Sequence, residues 1–158
     1  MSTSINVLFV CLGNICRSPT AHGIFQSMVD SHPSAHSIYV DSAGTGDWHI
    51  GAPPDSRAVS AAKQRGCDIS GLRARQVTRQ DFDQFDYILA MDAQNLLDLR
   101  AICPGNFKGT LCRFLDFADM QADVPDPYFG GSEGFEHVFD LCQSASRGLL
   151  AHISRHHV

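Results

Sequence analysis

Short apolar runs alternate with longer amphipathic ones along most of this chain. Residues 5–10, apolar but for Asn6, predict a buried strand. Residues 19–29 follow with Ala21, Ile24, Phe25 and Met28 at the i, i+3, i+4, i+7 spacing of one helix face. A second short strand over 38–40 runs into the turn-rich "DSAGTGDWHIGAPP". The next helix is expected from Pro54–Asp55 to Gly66, with Lys63 and Arg65 in its last turn, where cations suit the helix dipole. Residues 87–91 give a third strand, and 93–102 a helix closed by Cys103, Pro104 and Gly105. Residues 111–114 make a fourth strand. The acidic loop "DVPDPYFGGSEG" then leads to a last helix over 135–154. Thr78 and Asp81 have the spacing of a capping box for a short helix between these elements.

Strand–helix alternation of this kind implies an α/β fold, a parallel sheet with helices on both faces. Ligands in such sheets gather at the carboxyl ends of the strands, and Cys11 lies just past the end of the first. No repeat, low-complexity segment or linker divides the chain, so residues 1–158 are expected to form a single domain.

Charge narrows the function. The net charge of −5, without a long Lys/Arg run, argues against a general nucleic-acid binder. An anion site must then be built locally, from backbone amides and one or two guanidinium groups. No apolar stretch approaches membrane-span length, and "MSTSINV" lacks the basic flank of a secretory signal. A cytoplasmic, membrane-free protein is the expectation. The six cysteines are dispersed, which suits reduced thiols better than a disulfide framework. Neither CxxC nor HExxH occurs, so no metal is expected.

The informative stretch is residues 11–18, C-L-G-N-I-C-R-S. Gly13 and Asn14 are the residue types most able to adopt positive φ, and a short loop built that way turns its N–H groups inward as a nest for an anion. The expected phosphate ligands are the loop Leu12, Gly13, Asn14, Ile15 and Cys16, with Ser18 beyond it. Ser18 suits an N-cap and Pro19 the first helical position, so the helix would point its positive end at the loop. Arg17 adds a planar fork that holds two phosphate oxygens together. Thiols beside helix N-termini and cations ionise more readily than free ones, which makes Cys11 the candidate nucleophile. A lone cysteine here would read as a small buried hydrophobe; the full C-x5-R-S-P pattern after a buried strand does not. A Walker loop and a GxGxxG fingerprint are both absent.

The loop "VCLGNICRSPTA", together with "DSAGTGDWHIGAPPDSRA", "ARQV", "AMDAQN" and "DPYFGG", makes the chain resemble the low-molecular-weight protein tyrosine phosphatases almost end to end. That resemblance implies a three-layer fold with a four-stranded parallel sheet and a phosphate-binding loop after the first strand. It implies hydrolysis of phosphotyrosine and small aryl phosphates through a cysteinyl-phosphate on Cys11, with no cofactor or metal. Partners would be phosphotyrosine-containing proteins, with inorganic phosphate as product and a monomer or weak dimer as the working state.

Expulsion of a phenolate benefits from a proton, and Asp126 in "VPDPYFGG", aimed by Pro125 and Pro127, is the best candidate donor; any single loop aspartate reads as a solvated turn residue, and it is the resemblance at "DPY" that implies the acid role. The same carboxylate would then act as base toward water. Asp119 and Asp123 read as solvated turn residues. Trp48 and Tyr128 are expected as aromatic walls that favour an aryl over a seryl phosphate. Ser18 would also bond the sulfur of Cys11 and ease its departure. From the resemblance, Asn14 would brace the loop with Ser42, while Asp92 and Asn95 look structural. Leu72 stands where many relatives have a loop-supporting histidine, and Phe129 where some have a second tyrosine. Cys16 shares the loop with Cys11, so it would either capture an oxidised Cys11 as a disulfide or lie inert and buried. The tail "HISRHHV" reads as a frayed, solvated terminus.

Two other readings are weighed against this one. Arsenate reduction on the same scaffold needs further cysteines near residues 80–90, and "QDFDQFDYILAMD" has none. A non-catalytic phosphotyrosine-binding module would keep Arg17 and the amide nest but need neither Cys11 nor Asp126.

Overall fold

The computed structural model describes residues 4–32, 37–128 and 130–156. Four strands, β1 (Ser4–Cys11), β2 (Ser37–Gly44), β3 (Tyr87–Ala90) and β4 (Thr110–Arg113), form one sheet in the order β2-β1-β3-β4. Every pairing is parallel, with Cys11 opposite Gly44 and Val10 opposite Ala90 at the carboxyl end. The chain leaves β1 toward β2 on one side and returns to β3 on the other. β1 is therefore the switch point, where a parallel sheet opens a crevice.

Alternation along β1 divides the core into two. Val7, Phe9 and Cys11 face one side, with helices α1 (Arg17–Ser31), α2 (Ser56–Gln64) and α5 (Ser132–His156). Leu8 and Val10 face the other, against α3 (Asp81–Gln84) and α4 (Ala93–Ile102). The result is the expected three-layer α/β fold. Phe9 joins the layers of the larger core, its ring edge-on to Phe25 at 5.8 Å and to Phe114 at 4.9 Å. Burying a side chain of this size stabilises the fold by about 1.5–3 kcal/mol. The expected face of α1 is the buried one: Ala21, Ile24 and Phe25 are buried, with Met28 packed at the margin.

Several local expectations are revised. β2 continues to Gly44 and α1 begins at Arg17, both earlier or longer than periodicity indicates, because the flanking residues are polar yet still pair or bury. β3 stops at Ala90, and β4 occupies Thr110–Arg113, followed by a 3₁₀ helix at Phe114–Ala118. The histidine tail is not frayed through residue 156. Ile153 is buried, and the His152 ring packs at 5.2 Å from Phe117 and 5.7 Å from Tyr87, which carries α5 to its last turn. His157, the third histidine of that tail, and Phe129 lie outside the described residues. Leu72, in place of a polar support, packs against the larger core.

Candidate active site

β1 delivers Cys11 to the carboxyl edge of the sheet, and residues 12–16 curl back to start α1 at Arg17. The curl depends on Gly44 opposite. A Cβ there would stand 2.6 Å from the Leu12 carbonyl oxygen, so no larger residue lets the loop settle onto β2. Asn14 carries the left-handed turn, with φ of 58°. Gly13, expected to share it, does not. Its requirement is close approach, since a Cβ would sit 3.0 Å from the His49 ring.

The Cys11 sulfur receives the Asn14 N–H at 3.2 Å and lies 3.1 Å from Ser18 Oγ. Ser18 is therefore not the N-cap. It sits inside the first turn, where its hydroxyl accepts from Asn14 Nδ2 at 2.7 Å and faces the sulfur. Nor does Asn14 bond Ser42: its carbonyl oxygen accepts the Arg75 N–H at 3.0 Å, while Ser42 Oγ meets His22 Nδ1 at 3.1 Å. Arg75 is anchored in turn by Asp41 and by both oxygens of Asp81. The carboxylate of Asp81 also takes the Thr78 N–H at 2.8 Å, so half of the expected capping box forms around that arginine.

Arg17 is buried, and its Nη1 donates to Asp92 Oδ2 at 2.6 Å and to the Val124 carbonyl at 3.1 Å. Nη2 lies 3.8 Å from Asp126 Oδ2. Burial opposes the guanidinium charge, yet Cys11, Asp92 and Asp126 around it raise its pKa above the ordinary arginine value. Asp92 has the expected structural place, capping α4 through the Asn95 N–H at 2.7 Å, and it is also the ion-pair partner of Arg17. Asp126 points its other oxygen at the Tyr128 N–H, 3.0 Å away. Asp123, expected as a solvated turn residue, instead accepts from the Ala93 N–H and from Arg113.

These groups surround a cavity of about 170 Å³ lined by Cys11, Leu12, Gly13, Ile15, Cys16, Arg17, Trp48, His49, Asp126 and Tyr128. Every proposed ligand borders it except Asn14 and Ser18, which lie buried behind the sulfur. Trp48 is 69% exposed and Tyr128 38%, so two aromatic faces stand at the mouth where an aryl group would enter. Burial pushes the Cys16 thiol up to about 12, with Asp55, Cys11 and Asp126 acting in the same direction. Sequence reasoning missed His49, which borders the cavity, and Arg57, whose guanidinium lies 5.5 Å from the centroid of the Tyr128 ring; both lie in quoted motifs, but nothing in their spacing marks them out.

A sequence profile of the family described as "Low molecular weight phosphotyrosine protein phosphatase" matches residues 6–158. The low molecular weight protein-tyrosine-phosphatase YfkJ of Bacillus subtilis is 46% identical over 155 residues, 96% of this chain and 97% of its own. The human low molecular weight phosphotyrosine protein phosphatase is 42% identical over 149 residues, covering 92% and 93% of the two chains. Among solved structures, a protein tyrosine phosphatase from Entamoeba histolytica superposes with a TM-score of 0.90 at 37% identity, over 98% of this chain and 99% of that one. The switch-point loop, the buried arginine and these full-length likenesses lead to one conclusion: the chain belongs to the low molecular weight phosphotyrosine protein phosphatase family.

Proposed function

We propose that residues 1–158 work as a single cytoplasmic catalytic domain, a protein tyrosine phosphatase acting through a cysteinyl-phosphate. One observation carries this reading: Cys11, Arg17 and Asp126 border a single cavity beneath two exposed aromatic rings. A phosphoryl group seated there would meet the loop amides of Leu12, Gly13, Ile15 and Cys16 and the Arg17 fork, while the Asn14 N–H holds the sulfur from behind. The sulfur of Cys11 attacks phosphorus in line, and Asp126 protonates the departing phenolate. Water, relieved of a proton by Asp126, then attacks the phosphocysteine and releases inorganic phosphate. Ser18, 3.1 Å from the sulfur, donates to the departing thiolate in this second step. Trp48 and Tyr128 hold the aryl ring, and phenolate leaves more readily than an alkoxide, so phosphotyrosine is favoured over phosphoserine.

The test is a series of aryl phosphates with Asp126→Asn. Its kcat/KM falls by about 10²–10⁴ for the most basic leaving groups and far less for 4-nitrophenol, the signature of a lost general acid. A uniform loss along the series would remove Asp126 from that role.

A further inference from the structure

We infer that Arg57, on the neighbouring helix α2, is a positioning residue that fixes the aim of Asp126. This rests on Asp126 being the general acid. Among the described residues from Val124 to the start of α5 none belongs to a helix or strand, and the Asp126 side chain is 42% exposed, so something outside the segment must define where the carboxyl points. The upstream end is pinned. Val124 is buried, its N–H donates to the Met91 carbonyl at 2.7 Å, and its own carbonyl accepts from Arg17. Downstream, the pin is Arg57. Its Nη2 donates to the Tyr128 carbonyl at 2.9 Å and its Nη1 to the Gly130 carbonyl at 3.3 Å, while the guanidinium stacks 4.7 Å from the Phe135 ring centroid.

Arg57 is itself held. Asp55 takes its Nε and Nη2 at 3.0 Å each, and Asp55 donates its own N–H to the Ile15 carbonyl at 2.8 Å. A continuous run of bonds thus joins the phosphate loop to the residue whose N–H orients Asp126. The acid is bracketed between two guanidinium groups: Arg17 inside the cavity, and Arg57 behind it, bonded to the carbonyls of Tyr128 and Gly130 and to the Asp55 carboxylate. A fork with several fixed donors can span two carbonyls and a carboxylate together; an ammonium cannot.

The experiment uses the full chain with Arg57→Met, an unbranched apolar side chain that removes every donor of the fork, and Arg57→Lys. With Arg57→Met, kcat/KM for aryl phosphates of basic leaving groups falls about tenfold, as a misplaced acid requires, while 4-nitrophenyl phosphate changes by less than about twofold. Inhibition by inorganic phosphate stays unchanged, Arg57→Lys recovers part of the loss, and adding Arg57→Met to Asp126→Asn costs nothing more. Should Asp126→Asn show the leaving-group dependence and Arg57→Met lose activity evenly, or lose none, only the role of Arg57 is overturned. Should Asp126→Asn itself be insensitive to the leaving group, the acid assignment fails and takes this inference with it. Thermal unfolding of each variant separates both results from misfolding, and Arg57→Lys, which retains the charge, carries the test if the methionine variant does not fold.

Discussion

Arg17 and Asp92 meet at 2.6 Å although the arginine side chain is only 3% exposed, and they are brought together from two different strands' ends. A buried guanidinium needs a partner, and this one shares its carboxylate with the N-terminus of α4. The residue that holds Arg17 therefore also starts the helix after β3.

Replacing Asp92 separates those duties. Asp92→Asn retains an oxygen for the Asn95 N–H and loses the charge, so aryl phosphate turnover falls through a misplaced Arg17. Asp92→Ala loses the cap as well, which costs about 1 kcal/mol more in urea unfolding. Equal stability of the two variants would show that the cap contributes nothing.

Stability should fall on the acid side because of His22. Burial holds its pKa below the ordinary 6.5, with the charge of Asp41 pulling the other way. The folded state thus favours neutral imidazole. Its contribution is complete above pH 6.5, the unfolded value, and is lost as pH falls through the lower folded value. His22→Gln should flatten the decline in urea midpoint between neutral pH and the acid side of that window. Parallel declines for both proteins would remove His22 as the cause.

Cys16 borders the same cavity as Cys11, but its thiol is held protonated up to about 12. Iodoacetate at neutral pH should carboxymethylate Cys11, be blocked there by inorganic phosphate, and leave Cys16 unlabelled. After peroxide converts Cys11 to a sulfenic acid, attack by Cys16 forms the disulfide and expels water, and this capture quickens as pH rises and more Cys16 thiolate appears. Peptide mapping by mass spectrometry checks both; irreversible loss with no Cys11–Cys16 bridge would mark Cys16 as inert.

Much of the site was legible because it is local. Cys11, Asn14, Arg17 and Ser18 fall within eight residues after an apolar strand, and that compactness alone specifies a curled loop and a helix start. The alternation of strands and helices likewise identified the layers. What escaped was long-range. Nothing in the order of residues announces that Arg57 spans to the carbonyls of Tyr128 and Gly130, or that Arg75 braces Asn14 where Ser42 was expected. Ser18 misled because a serine before a proline has the composition of a cap, whereas the helix had already begun and its hydroxyl was taken by the sulfur and Asn14. The tail histidines looked solvated because polar residues at a terminus usually are, yet Phe117 and Tyr87 give His152 a surface to pack on.

The central claim is that Cys11 itself carries the phosphoryl group. Rapid acid quench during turnover of 4-nitrophenyl phosphate, followed by intact-mass and peptide analysis, tests it most directly. The predicted result is a phosphate on the Cys11 sulfur, formed in a burst that approaches one per chain, and absent from Cys11→Ser, which still binds inorganic phosphate. Full hydrolysis by Cys11→Ser, or a burst that leaves the phosphate on another residue, would contradict it.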